Sequence, residues 1–219
     1  MCQLQNKEDF RKHFDVSRET IAMLDNYDAI IREFGSNTNI ISHKSKMNIW
    51  CRHFADSAKL FAIIEGIAKR KKQEAISICD IGTGAGLPGI VLAILNTEKN
   101  ENFSFTLVES NRKKFNILER IVFKLKLDIT LENKRAEFLN KSFDIITARA
   151  LAPLKRILEF TQNITRPHTV FVLPKGKSWK DELEQIKNKW NYDVNVVKNN
   201  IMIDKTGGVT LILKKLKLK

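Results

Sequence analysis

One loop limits what this chain can fold into more than any other segment. Asp80-Ile81-Gly82-Thr83-Gly84-Ala85-Gly86-Leu87-Pro88-Gly89 grows out of ISICDI (76–81) and leads into GIVLAIL (89–95). ISICDI is a short, nearly continuous apolar run, the pattern of a parallel strand covered on both faces. GIVLAIL opens a helix, with Pro88 suited to its first turn. Strand, glycine turn and helix in succession make glycines evidence of a ligand site. Glycine allows positive φ and lets a ligand approach the backbone with no Cβ in the way. The competing explanation is a tight turn without a ligand, and three alternating glycines behind an aspartate argue against it.

The rest of the chain continues that alternation. FSFTLVE (103–109) reads as a second strand, 111–127 as a second helix and 129–131 as a third strand. FDIITA (143–148) and TVFVLP (169–174) follow, then a terminal pair near 192–198 and 209–213 with Gly207-Gly208 between them, as in a hairpin. The lysine-rich end, LKKLKLK (213–219), is expected to be an edge strand. This order predicts an α/β protein with a doubly wound, Rossmann-like sheet. Upstream, Phe10, Phe14, Ile21, Leu24, Ile31 and Phe34 recur at helical spacing and predict one amphipathic helix, ended by Gly35-Ser36-Asn37. Ile49, Trp50, Phe54, Ala58, Phe61 and Ile64 predict another, running to about Ala68 and into the basic run Lys69-Arg70-Lys71-Lys72. The expected organisation is an N-terminal helical cap over residues 1–75 and a Rossmann-like domain over 76–219. At 219 residues the chain can hold a core without disulfides or a metal.

Two ligand classes use such a loop. A dinucleotide places its pyrophosphate on the helix N-terminus and reads GxGxxG, with an acid about 20 residues on. Here the acid closing the second strand is Glu109, 27 residues past Gly82, and the loop begins with Asp80. A carboxylate at that point repels a pyrophosphate. It suits S-adenosylmethionine, which carries a sulfonium and an ammonium and no phosphate. The D-x-G-x-G-x-G pattern of Asp80, Gly82, Gly84 and Gly86, with Glu109 for the ribose hydroxyls, resembles the first motifs of class I methyltransferases.

Charge points to a partner. Lys+Arg 38 against Asp+Glu 25 gives a net charge of +13, which favours a polyanion through phosphate neutralisation. Lys, Asn and Ile make up 70 of the 219 residues, a bias that explains lysine in place of arginine but not the shortage of acids. No run of 18 apolar residues occurs, and the N-terminus lacks the apolar segment of a signal peptide. Three scattered cysteines (Cys2, Cys51, Cys79) make neither a disulfide framework nor a local zinc site, so no metal is expected and a reducing cytoplasm is. Cys79, inside the first strand, reads as a buried hydrophobe. No Asn/Asp-Pro-Pro-aromatic motif follows FDIITA, against methylation of an exocyclic amine, and no cysteine lies near it for a covalent route.

The order of NIISHKSKMNIWCRHFADSAKL (39–60), DIGTGAGLPGI (80–90), LVES (107–110), ARALAP (148–153) and LPKG (173–176) resembles the glucose-inhibited division protein B (RsmG) family. The resemblance covers about residues 37–215 and departs at Ala85, where many members carry proline. It implies methyl transfer from S-adenosylmethionine to N7 of a guanine in small-subunit ribosomal RNA, with the rRNA or the small ribosomal subunit as partner. Carried over by position, the cofactor contacts are Gly82, Leu87, Ala136, Glu137 and Arg149. Arg52, His53 and Lys175 are the candidates for contact with RNA, while Trp50 and Phe54 fit the apolar face of their helix. Arg149 is expected to position rather than deprotonate; no other catalytic group is assigned. A monomer is expected. The alternatives are a methyltransferase acting on a protein or small molecule, and a non-catalytic RNA-binding module.

Overall fold

The computed structural model describes residues 4, 6–34, 48–71, 75–198 and 208–219. Gly35-Ser36-Asn37, Lys72, Gly207, Cys2 and the first part of the 39–60 run lie outside them. The single helix expected from Phe10 to Phe34 is two, α1 (Lys7–Phe14) and α2 (Arg18–Phe34). Asp15 takes a left-handed conformation (φ 47°) and donates its N–H to the Arg11 carbonyl, closing α1. Asn6 opens α1 by accepting the Glu8 and Asp9 N–H groups, and Ser17 Oγ accepts the Thr20 N–H at the start of α2. The apolar stripe stays in phase across the break, which is why periodicity alone joins the two.

The second N-terminal pattern begins with a π-helical turn (Trp50–Ala55) that runs straight into α3 (Asp56–Lys71). One extra residue in a turn re-aims side chains, and such turns concentrate at functional sites. This one carries Arg52 and His53.

Strands β1 (Ile76–Ile81), β2 (Phe103–Val108), β3 (Ile129–Glu132), β4 (Ile145–Thr147) and β5 (Val170–Lys175) are parallel. With β6 (Trp190–Lys198) and β7 (Val209–Leu218) they form one sheet in the order β3-β2-β1-β4-β5-β7-β6, β7 antiparallel to both neighbours. As a whole β7 lies between β5 and β6, and β6 is the edge of the sheet, yet among the described strands the LKKLKLK segment keeps one open side, as expected of it. Only the part of β7 beyond Leu213 runs past β5, its lysines pairing with β6 alone. Helices α4 (Gly89–Lys99) and α5 (Arg112–Leu125) share one apolar core with α1–α3; α6 (Leu154–Phe160) and α7 (Trp179–Lys187) pack on the other face. Cys79 is free and buried as expected, whereas Cys51, for which no disulfide is expected, is disulfide-bonded.

Strand order reverses between β1 and β4. Ligands of open α/β sheets bind at such a switch point, outside the carboxyl ends of the strands. Register pairs Asp80 with both Leu107 and Thr147, so the ends of β1, β2 and β4 lie level there.

Candidate active site

The glycine loop is tied down from three sides. Asp80, 1% exposed at the end of β1, accepts through Oδ2 from the Thr83 hydroxyl (2.5 Å) and the Gly89 N–H (2.9 Å). Glu109, just past β2, accepts from the Gly84 N–H (3.0 Å) and the Asn111 N–H (2.7 Å). The third tie comes from the N-terminal helices. Tyr27 of α2, fully buried, donates its hydroxyl to the Ala85 carbonyl at 2.8 Å. Its ring stacks on Phe54, which meets Trp50 edge-on, and Trp50 meets Phe10. A chain of aromatic rings thus runs from α1 to the loop.

Gly82 and Gly84 both have positive φ (64° and 61°), the region where a side chain is strained. A Cβ on Gly84 would meet open space, whereas one on Gly82 would run into the Leu151 methyl groups. Leu151 separates two cavities. The smaller, about 260 Å³, is lined by Gly82, Val108, Ser110, Ala136, Glu137 and Leu151. The larger, about 640 Å³, brings together Arg52, His53, Asp56, Arg149, Lys175 and Leu151. Leu87 lines neither; its side chain is buried in the main core, so it shapes the turn from beneath.

Asp80 and His53 carry unusual electrostatics. Burial pushes the Asp80 carboxyl up to about 7, against the pull of its Thr83 and Gly89 hydrogen bonds and of Arg149. Its Oδ1 is buried with no hydrogen-bond partner. Burial, and after it the Arg149 charge, lowers His53 to about 4, so its ring is neutral at pH 7. Arg149 has only protons to give, and its Nη2 lies 2.7 Å from His53 Nδ1. Nδ1 therefore accepts, the ring proton sits on Nε2, and Nε2 is buried without a partner. Arg149 also bonds the Arg52 carbonyl (3.3 Å) and Asp56 Oδ2 (3.4 Å). Lys175, its side chain only 7% exposed, is held by Glu182 (2.8 Å) and the Ala152 carbonyl (3.1 Å). It is a wall of the cavity, not a free surface cation.

Tyr27, Asp56, Leu151 and Glu182 are the site residues that sequence reasoning gave no role. Tyr27 and Asp56 act on partners 58 and 93 residues away, and no local spacing betrays such contacts.

The arrangement fits a cationic adenosyl ligand better than a phosphate-bearing one. An orphaned buried carboxylate oxygen, an acid after β2 and open space over Gly84 suit S-adenosylmethionine. The strand order with antiparallel β7, the glycine loop after β1 and the acid after β2 define a class I S-adenosylmethionine-dependent methyltransferase. A magnesium protoporphyrin IX methyltransferase of Synechocystis, solved with bound S-adenosylmethionine, shares the fold (TM-score 0.55, 10% identity, 86% of this chain and 97% of that one). So does a Listeria monocytogenes structure described as a class I methyltransferase (TM-score 0.57, 14% identity, 96% and 68%). The chain belongs to the rRNA small subunit methyltransferase G family, whose model matches residues 20–207. It is 32% identical over 202 residues to ribosomal RNA small subunit methyltransferase G of Ruegeria sp., covering 91% of this chain and 93% of that protein. It is 35% identical over 188 residues to the protein of that name from Rhodospirillum centenum, covering 85% and 81%.

Proposed function

We propose that the protein transfers a methyl group from S-adenosylmethionine to N7 of a guanine in small-subunit (16S) ribosomal RNA. The observation that carries this reading is the meeting of two cavities at Leu151, one suited to an adenosyl group and the other large enough for a base. Family membership and the names of the relatives support the RNA substrate. When bound, S-adenosylmethionine supplies a methyl group on a positively charged sulfur, a leaving group that needs no proton.

On this reading Asp80 faces the ammonium of the ligand and Glu109 its ribose hydroxyls. Ala136 and Glu137 border the adenine, and Gly82, Gly84 and Gly86 let the backbone come close. Arg149 positions the substrate. Its planar fork suits guanine O6 beside N7, or a carboxylate of the cofactor. N7 of guanine bears no proton at neutral pH, so the reaction needs no base. The cavity agrees with that: Asp56 and Glu182 are paired with cations, and the acceptor nitrogen of His53 is occupied. What the protein contributes is placement, and orientation of this kind can lower a barrier by roughly 7–11 kcal/mol. Arg52 and His53 border the base, and residues 1–75 act as a cap that braces the loop of the 76–219 domain through Tyr27.

Among the described residues no helix is long and apolar enough to cross a membrane. We place the protein, as a monomer, in the cytoplasm with its rRNA. The test is incubation with labelled cofactor and either 16S rRNA, small subunits or total protein. Label at one guanine, mapped by the base-labile strand cleavage of 7-methylguanine, is the expected result. Label in protein alone would overturn the reading.

A further inference from the structure

The charge of this protein is not concentrated where its chemistry is. The reaction cavity is lined by Arg52, Arg149 and Lys175 but also by Asp56 and Glu182, which pair with Arg149 and Lys175. That leaves Arg52 to attract a polyanion. A further cavity, about 230 Å³, lies at the opposite end of the sheet. Over a floor that includes Ile67, it gathers Arg70 and Lys71 from the end of α3, His168 ahead of β5, and Lys214 and Lys215 of β7, with no carboxylate in its lining. Two acids among the described residues pair with its lining. Asp144 pairs with Lys71 (3.4 Å) and lies 3.9 Å from His168 Nε2, and Asp193 pairs with Lys215 (2.9 Å) in an exposed contact. Among the described residues Arg70 and Lys214 have no ion-pair partner.

The backbone is bent to make this cavity. Successive residues of a strand face opposite sides of the sheet, so Lys214 and Lys215 should not share one pocket. They do because the β6–β7 register slips: Asn191 pairs with Lys217 but Asp193 with Lys214, leaving β7 one residue longer. Lys215 sits at φ 52° within that bulge. Bulges re-aim side chains, and a non-glycine residue in the left-handed region costs roughly 1–2 kcal/mol. The strain places a second cation beside the first. Val170 of β5 lines this cavity and Lys175, at the other end of the same strand, lines the reaction cavity. At about 3.3 Å per residue they are roughly 17 Å apart, less than one 34 Å turn of a nucleic-acid duplex.

We propose that this distal basic cavity takes a backbone phosphate of the ribosomal RNA substrate and so supplies affinity that the reaction cavity lacks. The inference rests on the rRNA reading above. It is tested with the double charge reversal Arg70→Glu/Lys214→Glu, with unfolding by urea as the control for folding and Arg70→Gln/Lys214→Gln as the milder pair. The measurements are binding and methylation of naked 16S rRNA, and of assembled small subunits, over a salt series. The expected result is a KM for rRNA raised several-fold, with kcat at saturating rRNA and the cofactor affinity unchanged. The slope of log K against log salt should shrink by roughly 0.7 for each phosphate that the variant no longer neutralises. Arg70→Lys/Lys214→Arg should behave as the unmodified protein. A variant matching an rRNA-active wild type in KM and slope would overturn the proposal. So would a defect seen only with assembled subunits, which would assign the cavity to an acidic protein surface. Wild-type protein that binds and methylates neither naked rRNA nor small subunits would instead overturn the functional reading itself.

Discussion

Asp80→Asn separates two properties of one carboxyl group, its cost to the fold and its charge toward a ligand. Burial moves the titration of Asp80 from the ordinary 3.8 to about 7. The folded protein therefore holds this proton more tightly than the unfolded chain does. Below 3.8 both forms are protonated and the fold bears no penalty. As pH rises toward 7 the unfolded chain ionises first, and stability falls until the folded group ionises too. At about 1.4 kcal/mol per decade, the full loss above pH 7 is about 4 kcal/mol, a ceiling that local relaxation lowers. Asparagine keeps the shape, and its carbonyl can still accept from Thr83 and Gly89, but it never ionises. Urea unfolding should find Asp80→Asn more stable than wild type at about pH 8, with the advantage shrinking steadily toward about pH 4. Cofactor affinity should move the other way. In wild type it should rise with pH up to about 7 and then level off, because the ionised group is the one that holds an ammonium. In the variant it should be weaker and flat. A stability difference independent of pH would refute the reasoning, since Asp80 would then not titrate in this range.

Three further outcomes are expected. Gly82→Val should abolish cofactor binding in calorimetry on the folded variant, and adding Leu151→Ala should not restore it; restoration would mean that Gly82 only makes room for Leu151. Tyr27→Phe leaves the Ala85 carbonyl buried without its donor, which should lower stability by about 1–3 kcal/mol and weaken cofactor binding; an unchanged urea midpoint would remove Tyr27 from the support of the loop. Arg149→Ala should lose most activity, while the wild-type single-turnover rate at saturating cofactor and rRNA stays nearly flat from about pH 6 to 8.5. A tenfold rise per pH unit would mean that a proton leaves before transfer and would point to another acceptor atom.

How far the molecule was legible in its sequence depended on the range of the forces involved. Strands β1, β2, β4 and β5 and the glycine loop announce themselves because burial on both faces and positive φ each demand particular residues within a few positions. The break between α1 and α2 does not, since a single left-handed Asp15 makes it with no glycine or proline to mark it. The sign of the Lys175 charge is plain, but its cancellation by Glu182 depends on how α7 folds back beside β5. Leu87 falls where the family pattern expects a ligand contact, yet burial turns it into the core. Arg149 is visible as the end of a strand, while its partners His53 and Asp56 come from a π-helical turn and the helix start after it, more than ninety residues earlier.

The place of β7 has a consequence for how the molecule is assembled. It follows β6 in the chain, yet it lies between β5 and β6 in the sheet. When a ribosome has delivered β6, that strand has no partner, and the open edge of β5 is exposed to any other strand it meets. Domains fold largely as they emerge, at about 5–20 residues per second, so this gap lasts on the order of a second. The β1–β5 half can form in synthesis order, but the sheet closes only when Val209–Leu218 slides into the waiting slot. Variants that weaken β7 should therefore lower the yield of folded protein in the cell more than they lower its stability once folded.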